Sequence, residues 1–248
     1  MADGPTHGLR AVVFDTDGVL TDSASLHAAA WREAFDPVLT AAGQPPFDAD
    51  GEYRRWVDGR SRLDGAAALL TARDLRLPDG APDDPPGVGS VRAVAAAKEA
   101  AFTRLLRERG APAWPDAVRL LRALDASGVP RAAVSASRHA GELLAAAGLR
   151  ELFDVLLDGG EAARLGLPGK PDPALFLAAA ARLGVPAGEC ALVEDAVAGV
   201  AAGRRGGFGL VVGVDRTPDG VTELAEHGAD VVVRDLTDLW PATSEARR

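Results

Sequence analysis

The chain is 248 residues long, enough to bury a sizeable core in one large domain or in a core with an inserted one. With 47% hydrophobic and 25% charged residues it is not globally disordered, and no uninterrupted apolar stretch reaches the length needed to cross a membrane. A formal net charge of -9 argues against nucleic acid as the main partner, because a phosphate backbone requires a basic surface. A small phosphorylated substrate remains compatible with that charge if cations gather in one pocket. Residues 1–9 lack the basic, apolar and small-residue layout of a secretory signal, so a cytoplasmic protein is expected. Cys190, the single cysteine, makes no internal disulfide and reads as a small packed hydrophobe.

Residues 9–14 are an apolar run that ends in Asp15-Thr16-Asp17-Gly18. Such a run suits a strand covered on both faces, and its end is a rigid place to hold two acids. One carboxylate there can attack phosphorus, while the other, two residues on, exchanges a proton and helps to hold a metal ion. The same string is also the composition of an ordinary polar turn. The choice depends on what else reaches that end of the sheet.

More than a hundred residues then pass without a comparable strand. They hold helical candidates at residues 24–42, 62–72 and 91–110, with a Pro/Gly/Asp-rich loop at residues 77–89. The interval reads as a helical insertion, entered near Ser23 and left through Gly110, Pro112 and Pro115. Two hinge strands suit a cap that opens and closes over the sheet.

Residues 131–135 predict the second core strand, with Ser135 at its end just before a helix. Its hydroxyl can grip a phosphate oxygen beside the helix-start N–H groups, or simply cap that helix. Gly169-Lys170-Pro171-Asp172-Pro173 sets a lysine immediately before a helix at residues 174–183. The fixed backbone aims a point charge, suited to a phosphoryl group, although a solvated lysine is the plain alternative. Pro171 stands where a nucleotide P-loop requires Ser or Thr.

A strand at residues 190–193 runs into Glu194-Asp195, hard oxygen donors of the type magnesium takes, or else acids favoured at a helix start. Runs at residues 208–212 and 230–233 complete the set. Strands separated mostly by helices predict the α/β class, with a parallel sheet and crossover helices.

The order Asp15/Asp17, Ser135, Lys170, Glu194/Asp195 is the motif order of the haloacid dehalogenase-like superfamily, which the chain resembles over almost its whole length. Three features are similar to its beta-phosphoglucomutase branch: Asp17-Gly18-Val19-Leu20-Thr21-Asp22-Ser23 followed by His27 and Trp31, the helical insertion itself, and Gly59-Arg60-Ser61-Arg62 within it. The resemblance implies a Rossmann-like core at residues 1–22 and 111–248 and a helical cap at residues 23–110. It implies Mg2+ held by Asp15, the main-chain carbonyl of Asp17, and Asp195, with Glu194 nearby. Asp15 becomes the nucleophile and Asp17 the general acid/base.

By the same resemblance, Ser135 with Ala136, and Lys170, grip the phosphate. Arg62 binds a distal phosphate, and His27 and Lys98 are cap residues linked to closure. A packed helix histidine and a solvated helix lysine are their plainer readings. Arg138-His139 stands where the mutases usually have Lys-Asn, and Ala97-Lys98-Glu99 is poorer in basic and amide residues than its counterpart. Arg138 still suits phosphate, but the sugar and the mutase activity stay open.

The expected reaction is conversion of beta-glucose 1-phosphate to glucose 6-phosphate, with glucose 1,6-bisphosphate as intermediate or activator. A sugar-phosphate phosphatase, or a non-catalytic sugar-phosphate-binding protein, are the alternatives. A monomer without nucleic-acid or membrane partners is expected.

Overall fold

The computed structural model describes residues 8–216 and 221–239, so the N-terminal stretch expected to lack a secretory signal falls mostly outside the described residues. Strands β1 (Ala11–Asp15), β2 (Arg131–Val134), β3 (Val155–Leu157), β4 (Cys190–Glu194), β5 (Leu210–Val214) and β6 (Val231–Val233) form one sheet. All pairings are parallel, in the order β3-β2-β1-β4-β5-β6. Sequence order therefore reverses between β1 and β4. In open α/β sheets ligands bind outside the carboxyl ends of the strands at such a reversal.

Successive residues of β1 serve opposite faces, as the two-residue period of a strand requires. Val12 and Phe14 enter a core with Leu120, Leu121 and Leu124 of α4 (Pro115–Ala126). Ala11 and Val13 enter a second core with Leu175, Phe176, Ala179 and Ala180 of α7 (Ala174–Leu183) and Val200 of α8 (Val197–Arg205). Every residue of β1, β2, β4 and β5 is buried, which accounts for the unbroken apolar runs in the sequence.

The chain divides into two units, one of Met1–Asp22 with Pro112–Arg248 and the other of Ser23–Ala111. The second unit contains α1 (Ala24–Ala41), α2 (Arg62–Ala72) and α3 (Val91–Arg109) around Trp31, Phe35, Phe47, Leu69, Leu70 and Val94. Trp31 stacks on Phe35 with ring centroids 4.8 Å apart. Residues 77–89 carry neither helix nor strand. Among the described residues no helix is long and apolar enough to cross a membrane.

The structure departs from the sequence reading in three places. β3, which the apolar pattern did not suggest, spans three residues at the edge of the sheet, with Val155 and Leu156 half-buried and Leu157 buried. A π-helical turn at Tyr53–Val57 lies between α1 and α2. Finally, α5 (Ala140–Ala146) begins five residues beyond Ser135, with His139 at its N-cap. Ser135 is therefore not the cap of α5. Among the described residues the remaining α-helices are α6 (Gly159–Leu165) and α9 (Val221–Glu226).

Candidate active site

β1 lies between β2 and β4, so its last residue, Asp15, emerges between Ser135 on one side and Glu194 on the other. Lys170, from the loop before α7, reaches both acids. Its Nζ donates to Asp15 Oδ1 at 2.5 Å and to Glu194 Oε1. All three side chains are buried. The solvated alternative for Lys170 is thereby excluded.

Burial is the largest influence on Asp15 and raises its pKa well above the ordinary carboxylate value; Lys170 opposes the shift, while the negative charges of Glu194 and Asp17 add to it. Burial works against the Lys170 charge as well, but the attraction of Asp15 and Glu194 outweighs it and holds the ammonium above the usual lysine range. Two carboxylates against one ammonium leave an excess of negative charge in a buried place. That is costly unless a proton, which the raised Asp15 pKa favours, or a further cation offsets it.

The turn after β1 is fastened from within. Thr16 O accepts from the N–H groups of Leu20 and Thr21, Gly18 N donates to Thr21 O, and Asp17 N donates to Asp15 Oδ2 at 3.0 Å. Thr16 Oγ1 donates to Val134 O at 3.0 Å and so ties the turn to β2. The sequence reading missed Thr16; a hydroxyl set between two acids was the available signal. Gly18 has φ of +82°, which L-residues rarely adopt, and a β-carbon there would lie 1.8 Å from Asp195 Oδ2. Asp195 thus rests directly on the turn that carries Asp17.

Ser135 Oγ donates to Asp17 Oδ2 at 2.8 Å and accepts from Ser137 N at 2.9 Å. The predicted phosphate grip and the predicted acid/base are in direct contact. Ala136, next in the chain, approaches the start of α6 so closely that a β-carbon on Gly159 would lie 2.3 Å from its carbonyl oxygen. Arg138 is exposed, and His139 faces Glu142 at 3.3 Å.

A divalent cation is tested by the donors present. Asp15 and the Asp17 main chain lie in one turn, Asp195 from just beyond the end of β4 packs against it, and all three supply hard oxygens. Glu194 is otherwise engaged, with Oε1 on Lys170 and Oε2 accepting from Ala196 N at 2.7 Å. Among the described residues no three His, Cys, Asp or Glu side chains group as a metal site. Two carboxylates and a main-chain carbonyl need no such group, and the excess negative charge suits a cation, so the donor set fits.

In the helical unit, Arg62 opens α2 and pairs with Glu99 at 3.4 Å. His27 and Lys98 are both buried, with His27 Nδ1 2.9 Å from Lys98 Nζ. His27 stacks on Phe102 at 4.1 Å, and Lys98 lies 4.6 Å above that same ring. Lys98 is therefore not a solvated lysine.

Comparison with known proteins follows the same lines. Residues 9–207 match the family model described as haloacid dehalogenase-like hydrolase. The chain is 41% identical over 239 residues to a beta-phosphoglucomutase of Mycobacterium bovis, covering 93% of this chain and 91% of that protein. It is 30% identical to a validoxylamine A 7'-phosphate phosphatase of Streptomyces hygroscopicus subsp. limoneus, over 94% of this chain and 97% of the relative. A crystal structure of a hydrolase from Pseudomonas syringae superposes with a TM-score of 0.76 at 28% identity, over 93% of this chain and 95% of the other.

Proposed function

Because the chain belongs to the haloacid dehalogenase-like hydrolase family, we propose that it is a Mg2+-dependent sugar-phosphate mutase converting beta-glucose 1-phosphate to glucose 6-phosphate. The observation that carries the choice is the 41% identity to a beta-phosphoglucomutase over nearly the full length of both chains.

In this reading Asp15 attacks the phosphorus in line and becomes an aspartyl phosphate. Lys170, already bonded to Asp15, orients the carboxylate and offsets charge on the transferring oxygens. Ser135 donates to a phosphoryl oxygen once Asp17 turns to the sugar, since one hydroxyl proton serves either but not both. Asp17 protonates the C1 oxygen of the bisphosphate as glucose 6-phosphate departs, and then takes the proton of the C6 hydroxyl of an incoming beta-glucose 1-phosphate, whose oxygen takes the phosphoryl group from Asp15 and regenerates the bisphosphate. Asp15, the Asp17 carbonyl and Asp195 would hold the metal ion, which would supply further charge neutralisation. Arg62 binds the distal phosphate of the bisphosphate intermediate, and His27 and Lys98 act in closure of the helical unit.

A second reading is favoured by the phosphatase among the full-length relatives. If water rather than a sugar hydroxyl meets the aspartyl phosphate, the same groups make a sugar-phosphate phosphatase. Incubation with beta-glucose 1-phosphate, Mg2+ and a trace of glucose 1,6-bisphosphate separates the two. Glucose 6-phosphate supports the mutase, and stoichiometric free phosphate overturns it in favour of the phosphatase. A folded protein that neither turns over substrate nor captures beryllium or aluminium fluoride with Mg2+ is a binding module.

A further inference from the structure

Arg216, just beyond β5, has no part in the chemistry above, yet it is fixed by four hydrogen bonds. Its Nε donates to Gly18 O at 3.3 Å and Nη2 to Val19 O at 3.1 Å. Nη1 donates to Asp116 Oδ2 at 2.8 Å and to Arg234 O at 3.4 Å. Its guanidinium lies 4.6 Å over the ring of Trp114. Asp116, in the first turn of α4, is itself held by Leu236 N at 2.9 Å.

Gly18 and Val19 immediately follow Asp17, and their carbonyls are not used by the internal bonds of the turn. On the near side Asp17 is held through its own N–H to Asp15. On the far side Arg216 supplies the side-chain donors. Only a planar fork spans two successive carbonyls while stacking on an aromatic face and pairing with a carboxylate. We propose that Arg216 is a positioning residue for phosphoryl transfer: it clamps the carbonyls of Gly18 and Val19 and so fixes the turn from which Asp17 serves the leaving oxygen. The proposal rests on Asp17 being the general acid of the reaction proposed above.

Leaving-group dependence tests it. A sugar alkoxide needs a proton as it departs, whereas 4-nitrophenolate leaves with little help. With glucose 1,6-bisphosphate as the sugar phosphate, kcat/KM reads only the half-reaction that phosphorylates Asp15, so an acid held out of place penalises the sugar phosphate selectively. Loss of fold or of the nucleophile penalises both.

For Arg216→Met, kcat/KM for the sugar phosphate is expected to fall about 10- to 100-fold, the scale of a misplaced catalytic group. That for 4-nitrophenyl phosphate is expected to fall less than about threefold. In an Asp17→Ala background Arg216→Met should add no further selectivity, since the group it positions is gone. Arg216→Lys keeps the charge and the Asp116 pair but cannot span both carbonyls. It should show the same selective loss, and it stands in if the Met variant does not fold.

Equal losses on the two substrates, or no loss, overturn the positioning role. Full selectivity of Arg216→Met in the Asp17→Ala background does so as well. A wild-type protein that turns over neither ester, or an Asp15→Asn variant that keeps its activity, instead defeats the underlying mechanism.

Discussion

Lys170 faces two carboxylates with one positive charge, and that imbalance makes Asp15 the most informative residue to change. Asp15→Asn removes one of the competing negative charges and leaves the Lys170–Glu194 pair intact, so the fold should persist. The amide cannot form the acyl phosphate, and turnover should fall by about 10^4-fold or more, the scale of losing a nucleophile. Steady-state assays beside a thermal melt check both halves. Cys190 supplies a contrasting case: burial first, and then the nearby Glu189 charge, push its thiol up to about 11. At pH 8 it stays a protonated thiol, so iodoacetamide should label it only after denaturation, as read by intact mass. The four chemical positions were legible because each sits at a strand end or in a loop held by Gly and Pro. Partnerships were less so: the Ser135–Asp17 bond and the Thr16 tie to β2 join residues 118 apart in sequence, and nothing local announces them.

At the scale of elements, α8 shows how a helix is shaped by the site it supports. A β-carbon at Gly199 would lie 1.7 Å from Glu194 Oε1, so only glycine lets the helix pass beneath that carboxylate. In an ordinary exposed helix, Gly→Ala stabilises by roughly 0.5–1 kcal/mol. Here Gly199→Ala must displace either the helix or the acid bound to Lys170. The expected result is a loss of about 1–3 kcal/mol from overpacking, together with reduced turnover. Urea titration and phosphoester kinetics on the same preparation check it, and a more stable, fully active variant would contradict the close approach. Long buried strands and the helices α1, α2, α3 and α7 could be read from periodicity to within a residue or two. β3 could not, because three edge residues, two half-buried and one buried, are too few to carry a period. The π-turn at Tyr53–Val57 escaped for a related reason, since a five-residue i+5 turn has too few positions to show a pattern.

On the scale of the whole molecule, the break between β1 and β2 is where the chain leaves the sheet and returns. The two crossings are adjacent: Asp22 N donates to Pro112 O at 2.9 Å, and Thr21 bridges to Ala113 in antiparallel fashion. An insertion whose ends meet adds a second unit without disturbing the strand register on either side. That division assigns different tasks to different variants, and Arg62 is the sharpest case. It heads α2 in the helical unit and pairs with Glu99 at 3.4 Å. If Arg62 receives the distal phosphate, Arg62→Ala forfeits charge-assisted hydrogen bonds worth roughly 1.5–3 kcal/mol. This is about 10- to 100-fold in KM for glucose 1,6-bisphosphate, measured by coupled glucose 6-phosphate formation. 4-Nitrophenyl phosphate has no second phosphate, so its kcat/KM should stay within about twofold of wild type. A variant whose bisphosphate kinetics are unchanged would remove Arg62 from recognition and leave the Glu99 pair as a surface contact within the helical unit.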